Sequence, residues 1–271
     1  MLLVAVAGIP LGWVGWKVDR ARNQRMVVAE LQELHPEIIY DYQIALTNNG
    51  SRVYRDVPPP GPKWLIDLLG KECFVEVVQI EVDDPQVTDR AIALIAKLPS
   101  IDHLLLTSAP EITDDGLVHF AGMHNLEMVA LYSDHLTGVG LAHLRGLRRL
   151  KYLSAEGWID DASLEHVSKL ERLESLYING VAEITDRGLA QIAKLTNLRF
   201  LGLGFGAPHT VDIQDHMTIT DEGLASLYGL KNLESLDLRT TGVTEAGIDK
   251  LQKALPNCKI KWRPKDRTYP R

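Results

Sequence analysis

The stretch Leu173-Glu174-Ser175-Leu176-Tyr177-Ile178, followed by Ile184-Thr185-Asp186-Arg187-Gly188-Leu189, decides how this chain folds. In a short strand, alternate side chains such as Leu176 and Ile178 point inward. Thr185 then offers its hydroxyl as a helix N-cap, and Asp186 stands where the helix dipole favours an anion. Leu189, Ile192 and Leu195 follow at helical spacing and turn toward the same interior.

The same pair of motifs recurs along most of the chain. The strand pattern begins at Val75, Ile101, Leu126, Leu150, Leu173, Leu198 and Leu233, at intervals of 26, 25, 24, 23, 25 and 35 residues. The helix-start pattern begins at Val87, Ile112, Leu136, Ile159, Ile184, Ile219 and Val243. A near-constant period of this kind is the mark of a solenoid. No unit can bury its apolar face alone, so the units must stack, with their strands in one parallel sheet.

These units resemble leucine-rich repeats, over residues 73–262. Their T-D-x-G-L helix start and 23–26 residue period are similar to the ribonuclease-inhibitor-like class, also seen behind F-box domains. No F-box-like segment stands before the repeats, so the ubiquitin-ligase role of that relative is not carried over. The amino-terminal arrangement is similar to membrane-anchored bacterial leucine-rich-repeat proteins. The resemblance implies an α/β horseshoe of about seven repeats, with a parallel sheet on the concave face and helices on the convex face. It also implies a protein partner, no catalysis and no cofactor.

Composition agrees with a packed body. The chain is 45% apolar and carries a formal charge of −7. Residues 73–262 hold 17 basic and 27 acidic side chains, a net of −10. Such a surface argues against a nucleic-acid partner, whose backbone requires basic contacts. Two cysteines, Cys73 and Cys258, make no disulfide framework. Neither a nucleophile elbow nor a P-loop occurs, and nothing indicates a small-molecule substrate.

The amino-terminal residues divide into an uncharged apolar segment (1–16), a basic helical stalk (17–34) and a cap of hairpin plus short helix (35–72). The apolar run is short for a spanning helix. Basic residues after it, and Trp13 and Trp16 at its end, suit a single membrane anchor whose side is undetermined. A buried or interfacial helix is the other reading. Within the cap, Glu37–Ala45 is expected to pair with Arg52–Val57 across an Asn48-Asn49-Gly50 turn. Trp64, Leu65, Leu68 and Leu69 are expected to share one face of the short helix. Residues 263–271 form a basic tail.

Strand alternation then selects the candidate binding residues. One concave row reads Val77, His103, Met128, Tyr152, Ser175, Phe200 and Ser235, and the rows beside it add Leu105, Tyr132 and Tyr177. Aromatic residues and Met anchor interfaces. The expected partner-binding set is therefore His103, Leu105, Met128, Tyr132, Tyr152, Tyr177 and Phe200. Phe205, His209, Asp212 and His216 of the 204–217 insertion are further contact candidates. A structural envelope solenoid without a specific partner is the alternative. A metal-dependent hydrolase using His209, Asp212, Asp215 and His216 is a remote one, and no resident metal site is expected.

Overall fold

The computed structural model describes residues 11–47, 52–180, 184–203, 217–238 and 241–262. A helix, α1 (Leu11–Leu31), leads into strand β1 (Glu37–Tyr40), a small hairpin of β2 (Ile44–Leu46) and β3 (Arg52–Tyr54), and helix α2 (Lys63–Leu69). Seven strand–helix units follow: β4 (Val77–Val82) with α3 (Asp89–Ile95), β5 (His103–Leu106) with α4 (Asp114–Leu117), and β6 (Met128–Thr137) with α5 (Gly138–Leu141). Next come β7 (Tyr152–Trp158) with α6 (Asp161–Val167), and β8 (Ser175–Gly180) with β9 (Ile184–Thr185) and α7 (Asp186–Ile192). The last two are β10 (Phe200–Leu203) with β11 (Met217–Thr218) and α8 (Asp221–Leu224), and β12 (Ser235–Asp237) with α9 (Glu245–Ala254), before the closing strand β13 (Lys259–Lys261).

Nine strands form one sheet in the order β1-β4-β5-β6-β7-β8-β10-β12-β13. All pairings are parallel except β1 with β4. The repeated leucines explain the stacking. Leu104, Leu131, Leu153, Leu176, Leu201 and Leu236 are buried between sheet and helices. Leu117, Leu141, Leu164, Leu189 and Leu224 meet them from the helical side. Each fully buried side chain of this size stabilises by about 1.5–3 kcal/mol, and the core is continuous from α1 to Cys258.

The T-D-x-G motif has a stacking role beyond helix capping. Asp89 accepts hydrogen bonds from both the backbone N–H and the hydroxyl of Thr113 in the next unit, at 2.9 and 2.7 Å. Asp114 does the same for Thr137, Asp161 for Thr185, Asp186 for Thr220 and Asp221 for Thr244. The glycine of the next unit makes room: a Cβ on Gly116 would lie 2.1 Å from Asp89 Oδ1, and one on Gly223 1.9 Å from Asp186 Oδ1. The ends obey the same logic. Ala91 replaces the glycine in the first unit, which has no preceding Asp, and Glu245 replaces the aspartate in the last.

One joint departs from this ladder. Between the third and fourth units, Gly138 stands at the Asp position, Asp160 at the Thr position and Ser163 at the Gly position. Ser163 and Asp160 close a capping box of their own. A side chain at 138 would collide with Ser163, whose Oγ would lie 2.2 Å from its Cβ. Strand β6 runs for ten residues into this joint, and the β6–β7 register shifts between Tyr132 and Thr137.

Several expectations at the amino-terminal end are corrected. The first strand repeat starts at Val77, not Val75, because Ile80 pairs with Leu104 and Val82 with Leu106. Alternating valines let the pattern slide by two without changing face. Val77 is therefore buried opposite Tyr40, and Gln79 stands beside His103 in its place. Glu37–Ala45 is not one hairpin strand. Asp41 accepts the backbone N–H groups of Tyr42 and Glu76, and Gln43 accepts that of Tyr40, so the chain turns between β1 and β2. Only Ile44–Leu46 pairs with Arg52–Tyr54. The helix over Lys63–Leu69 forms, with Trp64 and Leu68 exposed at 68% and 71%.

The expected stalk is helical, but it lies against the solenoid instead of standing away from it. Ala21, Val27 and Leu31 are buried, and Val27 and Leu31 belong to the same core as the repeats. Gln24 is buried as well, donating to Val75 C=O and accepting from Val77 N–H. Lys17 and Arg20 reach Glu76, Arg25 reaches Glu72, and Arg90 returns to Glu30. Basic residues that read as a membrane flank are in part the capping helix's attachments. Among the described residues, no helix is long and apolar enough to cross a membrane.

Candidate binding face

The sheet surface turned away from the helices carries two continuous rows of side chains. The first runs Gln79, His103, Met128, Tyr152, Ser175, Phe200, Ser235 and Lys259. The second runs Glu81, Leu105, Ala130, Ser154, Tyr177, Gly202, Asp237 and Lys261. Adjacent positions in a row are about 4.8 Å apart. Beyond them Tyr132, Glu156 and Asn179 stand side by side.

All seven expected sheet residues occupy this face, and each is partly buried. They do not contribute alike. Tyr132, Tyr152 and Tyr177 gather around Ser154: the Tyr152 and Tyr177 rings are 5.6 Å apart, and the Tyr132 hydroxyl lies 3.1 Å from Ser154 Oγ. Burial, with the neighbouring phenols, pushes the Tyr152 hydroxyl above its usual range. Met128 adjoins Tyr152, and Phe200 lies under the Arg199 guanidinium at 5.5 Å.

His103 is less available than the sequence suggests. Its Nδ1 lies 2.9 Å from Asp102, which also receives Arg52 of the hairpin at 2.6 Å. Burial would raise the Asp102 carboxyl, but the His103 and Arg52 hydrogen bonds outweigh it and hold the carboxyl low. Tyr54 donates to Gln79 at 2.8 Å. The hairpin thus occupies the first part of the face, leaving the aromatic group around β7 as its centre.

Charges on the strand-entry edge neutralise one another. Glu127 meets Arg149 and Lys151, while Arg199 meets Glu174 and Glu234. Burial works to raise Glu127, yet its two cations keep it below the usual carboxylate range. A shallow groove of about 510 Å³ lies along this edge between Lys151 and Glu234. On the opposite side, burial and Asp134 push the Glu156 carboxyl upward, with Asn179 offsetting part of the rise.

Phe205, His209, Asp212, Asp215 and His216 lie outside the described residues. The described residues contain no group of three metal-ligating side chains. Burial pushes the Cys258 thiol up to about 11, far from a reactive thiolate. Sequence reading missed the joint beneath the aromatic group, although Gly138, Asp160 and Ser163 break the repeated T-D-x-G pattern visibly.

The register, the seven stacked units and the leucine core together decide the fold. The chain folds as a leucine-rich-repeat solenoid. No family model matches it, and no curated protein does. Among solved structures it is similar to internalin C2 of Listeria monocytogenes, at 17% identity and TM-score 0.49, covering 80% of this chain and 87% of that one. An internalin of the same organism shares 17% identity at TM-score 0.38, over 65% of this chain and 57% of that one. A leucine-rich-repeat protein of Leptospira interrogans shares 20% at TM-score 0.37, over 62% and 50%.

Proposed function

We propose that this solenoid is a non-catalytic protein-interaction module that holds a protein partner on its open sheet face. The 204–217 loop is its second contact, and the apolar residues 1–16 tether it to a membrane. No nucleic acid, cofactor or small-molecule substrate takes part. The supporting observation is the grouping of Met128, Tyr132, Tyr152 and Tyr177 at the centre of the face. Clustered aromatics away from the core are the residue types that dominate interface energetics.

The tether has a geometric corollary. Helix α1 is continuous from Leu11 into the cap, so no flexible linker separates the end of the apolar run from the solenoid. The amino-terminal end of the stack then faces the bilayer. The competing reading, a spacer with no specific partner, draws on the packing of the tyrosines against one another.

The double substitution Tyr152→Ala with Tyr177→Ala separates the two. Loss of two central anchors at about 2 kcal/mol or more each weakens a partner at least 100-fold. Partners recovered by affinity capture with the intact chain should therefore vanish with the variant. Equal recovery by a folded variant would support the spacer.

A further inference from the structure

Three observations coincide at the irregular joint between the third and fourth units. First, the entry edge of the sheet pairs its charges, whereas Glu156 and Asp134 meet no cationic side chain among the described residues. Second, Asn179, beside Glu156 in the register, has a buried Oδ1 with no hydrogen-bond partner among the described residues. Third, Tyr132 pairs with Glu156 and Tyr177 stands two residues before Asn179 on the same side of β8, with the Tyr152 ring 5.6 Å behind it, offering π faces that attract cations.

The backbone is built to produce this arrangement. Ser133 donates to the carbonyls of Pro110 and Ile112 and accepts His135 N–H, fixing a bulge that leaves Asp134 exposed. Gly157 lets β7 pass close beneath it, since a Cβ there would lie 2.7 Å from Leu136 O and 2.9 Å from Ser133 O. The ladder break at Gly138, Asp160 and Ser163 falls at the same joint. Local departures from a repeat's rule concentrate at functional positions.

We propose that this spot receives a guanidinium group, an arginine side chain presented by the protein partner, between Glu156, Asp134, Asn179 and the tyrosines. The inference rests on the open-face reading above and specifies its chemistry. Arginine fits better than lysine: its planar fork can pair with a carboxylate, donate to an amide oxygen and stack on a ring at once. The elevated Glu156 carboxyl agrees, because a half-buried carboxylate beside a second acid gains most from an incoming cation.

The test uses a displayed library of random peptides selected on the full chain. The strongest arginine-containing peptide is then synthesised with that arginine or with citrulline, which keeps the shape and removes the charge. Expected is an arginine flanked by apolar residues, and a loss of about 10- to 100-fold on citrulline replacement. That loss should largely disappear on the Glu156→Gln, Asp134→Asn variant, whose substitutions keep side-chain shape. Selected peptides without arginine, or a citrulline penalty undiminished on the variant, would overturn the inference. If those same peptides still require Tyr152 and Tyr177, the open-face reading survives. Peptides indifferent to Tyr152→Ala with Tyr177→Ala, or no selected peptide at all, would overturn both.

Discussion

Replacing Gly116 with serine should destabilise the protein by about 2–4 kcal/mol, read as a lower urea midpoint. The new Cβ would lie 2.1 Å from Asp89 Oδ1 and must displace that carboxylate. Two hydrogen bonds to Thr113 are then lost, and each bond to a charged group is worth about 1.5–3 kcal/mol before solvent exposure discounts it. Much of the loss should return when Asp89→Gly and Thr113→Asp are added. Those three residues would copy the native set Gly138, Asp160 and Ser163, in which serine and aspartate satisfy each other. If the triple variant were no more stable than Gly116→Ser alone, the ladder would not be the origin of the motif.

The second large effect concerns the amino-terminal helix. A chain beginning at Gln32 should lose cooperative folding, seen as early-eluting aggregate in size exclusion and a flattened thermal transition. It exposes the sites of Val27 and Leu31, both fully buried, at about 1.5–3 kcal/mol each. It also strips Gln24 from Val75 C=O and Val77 N–H, about 1–3 kcal/mol per orphaned group. Together these approach the 5–15 kcal/mol that holds a typical domain. A chain beginning at Lys17 retains all of these contacts and should fold. Equal behaviour of the two chains would refute the capping role.

The repeat register was legible from the leucines because each unit buries the same positions, and the strand phase of Ile101, Leu126, Leu150, Leu173, Leu198 and Leu233 matches the sheet pairing. It failed at the first unit. Val75, Val77 and Val78 are all apolar there, and only pairing with β5 chooses among them. The acidity read as surface charge is in part internal bracing. Asp89, Asp114, Asp161, Asp186 and Asp221 spend both carboxylate oxygens on the next repeat, a long-range use that one helix start cannot display. Basic residues in α1 misled for a related reason, because their partners Glu72 and Glu76 lie some fifty residues away in sequence.

The candidate face was legible as a set of residue types but not as an arrangement. Alternation placed Met128, Tyr152 and Tyr177 on the outer side. It could not show that Arg52 and Tyr54 would tie down the His103 and Gln79 end, nor that a bulge would set Asp134 near Glu156. Those features come from contacts between distant segments.

Site-specific photo-crosslinking tests the central claim most directly. A benzophenone amino acid is placed at Tyr152 on the open face, or at Val139, which is 71% exposed on the helical side. The proposed function predicts a discrete crosslinked protein from position 152 in native membranes and none from position 139. The same product from both positions, or from 139 alone, would contradict it.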